Sequence, residues 1–430
     1  MKTDMTIGKK IALVALVALV GSCSSDEGNG LVGEPEQQEQ GVPVTVVSYA
    51  RPYQSVEASE PGESRATRAG WLPSDFTLSS DHKAIGTFFT TASDTPEKHR
   101  LWYNTNTTDK FPEPKWFLSG KDIKGGSFYL YGYMPYNAAE VSITPPDGAT
   151  YAEGAILSYS NLGSVMSKDV CVLVGARHGS DANTPAPADP TDPTDPDGMK
   201  LGQFRVKMKS VSKDDSDPEN KNYLFLLFEH VYARLDFRFK LDADYARLRT
   251  IKLKKLELTA YSYTLDNLSD AVPMKKNGSI EVHVLANTTG TSPIANDVRF
   301  TPDDDSPVMD PVVIFDAQEK DEATGIERGE ETIPSDSYTV ETGYVPYYNF
   351  ADASTKVLYT LRTTYNVYDK QGNLVREKDC VAENTVVPGR LFSQSQLDSG
   401  KQYKINLTVM PTYLYVLSEP DIDNPTVRID

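Results

Sequence analysis

Short runs of aromatic and β-branched residues restrict the fold of this chain more than any other feature. Typical runs are HKAIGTFFTT (82–91), RLWYN (100–104) and GSFYLYGYMPY (126–136), and Gly, Pro, Asn and Asp punctuate them. Strands at this spacing, without helical patterns between them, are typical of antiparallel sandwiches and barrels. The sequence therefore predicts an all-β fold.

Longer alternating runs in 222–242 and 245–265 indicate a second unit. Side chains two residues apart share one face of a strand, so one face of the first run is apolar: Val231, Ala233, Leu235, Phe237 and Phe239. DKQGN (369–373) between two later runs is typical of a hairpin loop. We therefore predict two antiparallel β-sandwich domains, at 42–218 and 219–410.

The first residues are typical of an export signal rather than of a folded element. A basic GKK precedes the apolar IALVALVALVG (11–21), which is too short to span a bilayer as a helix. Val20-Gly21-Ser22-Cys23 is similar to a bacterial lipobox, which predicts a lipoprotein signal peptide at 1–22 and a lipid on Cys23. The alternative is an ordinary signal peptide with an incidental cysteine. The polar residues 23–41 are expected to form a flexible tether.

The segment DANTPAPADPTDPTDPDG (181–198) has almost no apolar bulk. Its repeated prolines predict a disordered surface insert between two strands. A calcium site from its acidic residues is the alternative, but prolines disfavour the tight turn of a calcium loop. The candidate ligands of that site are Asp189, Asp192, Asp195 and Asp197.

Catalytic and cofactor signatures are missing from the sequence. None of its five histidines stands at a zinc spacing, and it contains no nucleophile elbow, P-loop or dinucleotide glycine motif. We interpret His230 as a packed or capping residue, and expect Cys171 and Cys380 to be two free thiols, with one disulfide as the alternative. The predictions are therefore no enzyme activity, no cofactor and no metal. A formal net charge of −18 disfavours nucleic acid as a partner.

A short basic loop follows the first good strand, VPVTVVSYA (42–50). The loop reads GESRATRAGW (62–71), and its arginines Arg65 and Arg68 stand among small and polar residues. Exposed loops of this composition are preferred sites of proteolysis. We therefore expect a protease to cut there first.

Several stretches together resemble the fimbrillin superfamily of Bacteroidetes, the subunits of type V pili. They are the lipobox, GGSFYLYGYMPYN (125–137), FEHVYARLDFRF (228–239) and the C-terminal run from Tyr403. The resemblance covers most of the mature chain, and the insert at 181–198 departs from it. It implies transthyretin-like sandwiches, and a trypsin-like protease that cuts after Arg65 or Arg68. The cut would release a propeptide, 42–68, with the first strand, and the lipid would leave with it. A strand from a neighbouring subunit would then fill the groove that the lost first strand leaves.

The tail 411–430 is the predicted donor strand. PTYLYVLS (411–418) is apolar on both faces, which is unusual for an exposed tail. We expect Tyr413, Tyr415 and Leu417 to fill the pockets of the groove. The alternatives are that the stretch is the last strand of its own domain, or that 422–429 is a second, weaker donor.

The resemblance implies a structural subunit, stem or tip, of a cell-surface fimbrium for adhesion and biofilm formation. Its partners would be other fimbrial subunits, the processing protease and, before maturation, the outer membrane through the lipid on Cys23. The alternative function is a glycan-binding surface lipoprotein that stays anchored and does not polymerise. An exposed aromatic platform would favour that alternative.

Overall fold

Strands account for most of the computed structural model. It describes residues 42–56, 72–73, 84–93, 95–102, 115–116, 127–136, 139–179, 201–207, 222–264, 267–286, 294, 298–321, 324–392, 394–414 and 419–430. The signal peptide, the tether and the insert at 181–198 therefore lie outside the described residues.

In the first half of the chain, the described residues form twelve strands. They are β1 Val42–Ala50, β2 Gln54–Val56, β3 Leu72–Pro73, β4 Ala84–Thr90, β5 Glu97–Trp102, β6 Lys115–Trp116, β7 Ser127–Met134, β8 Glu140–Thr144, β9 Gly154–Gly163, β10 Cys171–Gly179, β11 Arg205–Lys207 and β12 Asn222–His230. The first strand has the bounds that the sequence predicted.

The second half adds β13 Ala233–Leu241, β14 Thr250–Thr264, β15 Asn267–Pro273, β16 Asn277–Leu285, β17 Phe300–Pro302, β18 Val312–Asp316, β19 Glu331–Thr332, β20 Thr339–Val345, β21 Thr355–Tyr368, β22 Cys380–Val386, β23 Lys401–Leu414 and β24 Glu419–Ile429. Within the described ranges, two single-turn helices, α1 Tyr245–Leu248 and α2 Pro388–Leu391, connect strands. The all-β prediction is confirmed. Among the described residues, no helix is long and apolar enough to cross a membrane.

The strands of the described residues form four sheets. A nine-stranded sheet has the order β3-β1-β12-β10-β7-β4-β5, with β11 beside β7 and β6 beside β1. A five-stranded sheet runs β2-β23-β13-β20, with β24 beside β23. A six-stranded sheet runs β15-β14-β21-β22, with β18 and β19 beside β14, and a four-stranded sheet runs β17-β16-β9-β8. Most pairs are antiparallel, but β1 is parallel to β12, and β23 is parallel to β13 and β2.

The predicted boundary between residues 218 and 219 does not follow this pairing. β12 lies beyond that boundary, yet it pairs with β1 and β10 in the nine-stranded sheet. The four-stranded sheet joins β9 of the first half to β16 of the second. Strand pairing depends on which edges meet in space, and Gly41–Asp430 accordingly forms one compact unit.

The apolar run of β12 explains how the nine-stranded sheet is buried on both faces. Phe225 and Leu227 belong to the main core, to which all four sheets contribute. Leu224, Leu226 and Phe228 alternate with them and belong to a smaller core on the opposite face. A continuous apolar run is expected of a strand that is covered on both sides.

The predicted hairpin loop and free thiols are also found. β21 and β22 are antiparallel, and the turn after β21 has Gly372 at φ 87°, a conformation that glycine adopts without steric cost. Cys171 and Cys380 are both buried and free.

Candidate functional site

The chain from Val42 to Val56, called the first segment here, lies along two sheets. Val44–Ala50 pairs in parallel with Asn222–Phe228, and Gln54–Val56 pairs in parallel with Lys401–Tyr403. At about 3.3 Å per residue, such a segment spans roughly 45–50 Å. One extended stretch therefore connects the nine-stranded and five-stranded sheets.

The surface of β12 on which the first segment lies, called its seat here, is apolar. Ser48 and Ala50 are 1% and 7% exposed, and Ala50 packs in the smaller core with Leu226 and Phe228. The other edge of β12 is taken by β10. Loss of the first segment would leave unpaired backbone groups and an apolar surface on β12, which together attract another strand.

A buried polar cluster lies where the first segment passes from one sheet to the other. Tyr53 donates its hydroxyl hydrogen to Asp169 Oδ1 at 2.7 Å, and its ring stacks on His230 with centroids 3.6 Å apart. His230 Nδ1 lies 2.7 Å from Asp169 Oδ2. We call Arg51, Tyr53, Asp169, Cys171, Glu229 and His230 the junction cluster.

Three further contacts complete the junction cluster. The Arg51 guanidinium lies 2.9 Å from the Glu229 carboxylate, and His230 Nε2 lies 2.7 Å from the Arg51 carbonyl oxygen. Cys171 Sγ lies 3.3 Å from His230 Nδ1. Arg51 and Tyr53, the two cluster residues that belong to the first segment, thus contact buried charged groups in the rest of the protein.

Burial sets the protonation of the cluster's weak acids. It raises the pKa of Tyr53 well above its ordinary value, and the charge of Asp169 raises it further. Burial and Asp169 likewise raise the pKa of the Cys171 thiol. Tyr53 is therefore a neutral phenol at physiological pH, and it can act as the donor to Asp169.

A cavity of about 470 Å³ opens beside the junction. Its lining includes Arg51 and Gln54 of the first segment, His230, Tyr347 and Lys401. The cavity gives solvent a route to His230.

Most of the predicted site residues fall outside the described part of the chain. Cys23, Arg65, Arg68, Tyr415 and Leu417 are among them, and their predicted roles stay predictions. The backbone of Tyr413 is described, and it pairs with Pro420.

The described part of the tail is paired within its own chain. Pro411–Leu414 continues β23, and β24, called the last segment here, pairs back along Leu407–Leu414. Val427 is 5% exposed, and the Tyr245 hydroxyl donates to the Ile422 carbonyl at 2.8 Å. The expectation that this tail lies outside its own domain therefore does not describe this state. Its backbone pairs with the free edge of β23, and Val427 and Ile422 pack against the main core.

The sequence did not predict the junction cluster. His230 was interpreted as a packed residue, and it does pack, but against Tyr53 of a distant segment. Asp169 and Cys171 are far from His230 in sequence, so a search for local zinc spacings misses them. A usable signal was the D-x-C spacing, since side chains two residues apart in an extended chain lie on one side.

No family model matches the chain, and no curated protein matches its sequence. Several solved structures are similar. A candidate cell adhesion protein from Bacteroides fragilis is 12% identical at a TM-score of 0.37, over 90% of this chain and 97% of that one. The fimbrial anchor protein Mfa2 from Porphyromonas gingivalis is 9% identical at 0.25, over 91% and 97%. Candidate polysaccharide-binding proteins from Bacteroides thetaiotaomicron are 7% identical at 0.26, over 86% and 92%. Because these similarities are low, the function has to be inferred from this chain's own residues.

Proposed function

We propose that this chain is a non-enzymatic structural subunit, stem or tip, of a cell-surface fimbrium that serves adhesion and biofilm formation. It is exported as a lipoprotein with the lipid on Cys23, and cleavage after Arg65 or Arg68 prepares it for assembly. The observation that carries the proposal is the placement of the first segment. This segment adds parallel strands to two sheets, and in the sequence the Arg65–Arg68 loop follows it.

A cut in that loop changes how the first segment is held. Before the cut, the segment is joined covalently to the rest of the subunit, so its pairing with β12 is intramolecular. After the cut, the segment is held by non-covalent contacts, among them its backbone hydrogen bonds, the Ala50 contact and the junction cluster. A competing strand from a neighbouring subunit can then replace it by β-strand addition.

The proposed donor is the neighbour's tail, 411–430, with Tyr413, Tyr415 and Leu417 as pocket fillers. In the described state the last segment pairs with only one strand, β23. Its release therefore breaks one ladder of backbone hydrogen bonds, together with the Tyr245 contact and the burial of Val427. An extended donor strand offers both backbone groups and alternate side chains to the vacated edge of β12.

An exposed aromatic platform, which would favour the glycan-binding alternative, is not found among the described residues. Tyr338, 39% exposed, is the aromatic residue that stands out at the surface there, and Arg238 lies over its ring at 4.2 Å.

Limited trypsin treatment of the purified full chain tests the proposed cut. We expect the first cleavage at Arg65 or Arg68, followed by polymers visible by electron microscopy. The double variant Arg65→Ala/Arg68→Ala should stay monomeric. Arg247→Ala is the matched control, because Arg247 has a 79% exposed side chain and lies on α1, outside the proposed cleavage loop and donor. Polymers from the double variant, or a first cut inside a sheet, would contradict the proposal.

The donor is tested separately with Tyr415→Asp. A carboxylate in an apolar pocket costs several kcal/mol, so this variant should be cut normally but should not polymerise. Its melting temperature should match that of the wild type. Normal polymers would show that the donor lies elsewhere, and an unfolded monomer would show that Tyr415 belongs to its own sheet.

A further inference from the structure

Three metal-ligating side chains converge inside the junction cluster. One ligand atom from each of Asp169, Cys171 and His230 lies within 4.8 Å of the other two. His230 Nδ1 is 2.7 Å from Asp169 Oδ2 and 3.3 Å from Cys171 Sγ. The exposed fractions of the His230 and Asp169 side chains are 7% and 8%, and Cys171 is fully buried.

The contact on the far side of the imidazole orients Nδ1 toward the other two ligand atoms. His230 Nε2 faces the Arg51 carbonyl oxygen at 2.7 Å, and a carbonyl oxygen can only accept, so Nε2 carries the hydrogen. In the neutral ring, Nδ1 then has a lone pair directed at a carboxylate oxygen. At 2.7 Å these two atoms are at hydrogen-bond distance and share a proton, which a metal ion bound by both would replace.

We propose that Asp169, Cys171 and His230 bind a divalent transition metal ion of the zinc class. Thiolate, imidazole and carboxylate are the ligands zinc takes in proteins, whereas calcium and magnesium prefer oxygen alone. On binding, the thiol proton and any proton on Nδ1 pass to solvent. The two anionic ligands then balance the double positive charge of the ion, so the buried site is neutral overall.

The outer contacts of this site come from the first segment. The Arg51 carbonyl accepts from His230 Nε2, and the Tyr53 hydroxyl donates to Asp169 Oδ1, the oxygen that does not face the imidazole. Hydrogen bonds of this kind orient metal ligands and contribute to affinity. The cavity beside His230 and Arg51 supplies an entry path. A bound ion would therefore tie the first segment to the body of the protein, whether or not the chain assembles into fimbriae.

Cobalt(II) titration of the metal-free, uncleaved chain tests the site, because a Co²⁺–thiolate bond gives a charge-transfer absorption. We expect this band at one equivalent in the wild type and its loss on addition of Zn²⁺. Cys171→Ser should abolish it. Cys380→Ser is the matched control, since Cys380 is the other buried free thiol, and it should keep the band. A folded wild type without the band, or a Cys171→Ser variant that retains it, would overturn the proposal.

The contribution of the first segment is tested with Tyr53→Phe, which leaves all three ligands in place. Loss of such an outer hydrogen bond lowers metal affinity about 10–100-fold, so Zn²⁺ competition should show a weaker site. Tyr338→Phe should bind as the wild type does. Equal affinities for Tyr53→Phe and the wild type would show that the first segment does not support the site.

Discussion

The first and last segments share one edge of β23, and they are held there in different ways. Gln54–Val56 pairs in parallel with Lys401–Tyr403, whereas the last segment pairs antiparallel with Leu407–Leu414. The first segment continues into a second sheet and brings Arg51 and Tyr53 to buried charges. The last segment pairs within one sheet and accepts single hydrogen bonds from Asn384 of β22 and from Tyr245. Its ion pair with Arg249, through Asp423, is partly exposed.

This difference shows which end depends more on specific side-chain contacts. The last segment pairs with the strand that directly precedes it, so its pairing is local in sequence. The first segment pairs with residues that come much later in the chain, and closing such long loops costs more entropy. Its apolar seat on β12 and the junction cluster offset that cost, so the first segment should be the more sensitive to single substitutions in its seat.

The largest expected contrast is in unfolding free energy, between substitutions of buried apolar residues at the first and at the last segment. Phe228 is fully buried and is the Cα partner of Ala50, and Phe228→Ala should cost about 3–5 kcal/mol of unfolding free energy. Val427→Ala removes less buried area from the last segment and should cost about 1–2 kcal/mol. Urea unfolding of the full chain measures both. Equal losses of unfolding free energy in the two variants would show that the two segments do not differ in this way.

The next contrast comes from the charged contacts, measured without metal. Asp169 is 5% exposed and accepts from Tyr53, so Asp169→Asn should cost about 1.5–3 kcal/mol, the range for hydrogen bonds to charged groups. Asp423→Asn is the matched variant in the last segment. Its side chain is 37% exposed, and an exposed pair contributes less than about 1 kcal/mol. Should Asp423→Asn prove the more destabilising, the last segment would be the one held by charge.

The smallest expected effect is a change of unfolding free energy with pH. It determines the pH at which the two segments should be compared. Burial raises the pKa of Glu341, on β20, from 4.5 to about 7; Glu331 adds to the shift and Arg328, at 2.9 Å, opposes it. The folded chain then binds more protons than the unfolded chain between these values, so stability falls as the pH rises from about 4.5 to about 7. We expect a loss of about 1–3 kcal/mol over this window.

Glu341→Gln should remove most of that slope, as followed by urea unfolding at several pH values. Glu383→Gln is the control, because the Glu383 side chain is 64% exposed and should leave the slope unchanged. A stability that rises over the same window in the wild type would contradict the assignment to Glu341.

The local patterns of the sequence predicted strands well but not their partners. The alternation in 42–50 predicted β1 with its bounds, and the run in 222–242 predicted strands where β12 and β13 lie. Nothing local in either stretch specifies that they lie side by side and parallel. That pairing depends on where the rest of the chain places two edges, and for the same reason strand pairing crosses the predicted boundary at 218/219.

The candidate site was less predictable than the fold for the same reason. The role of Tyr53 arises only when the chain passes between two sheets, and His230 acquires its Asp169 and Cys171 contacts only through strand packing. The tail illustrates a different limit. Its apolar alternation suits an edge strand equally well in its own sheet or in a neighbour's, and residue types alone do not distinguish the two.

The parallel pairing of Val44–Ala50 with β12 also has a mechanical consequence. A pull along the strand axis stretches all the hydrogen bonds of this register together, in shear. A pull across the strand would instead open them one after another, as a zipper opens. A strand held in this register therefore resists force along its axis far better than force perpendicular to it. This suits a contact between strands that is under steady axial force.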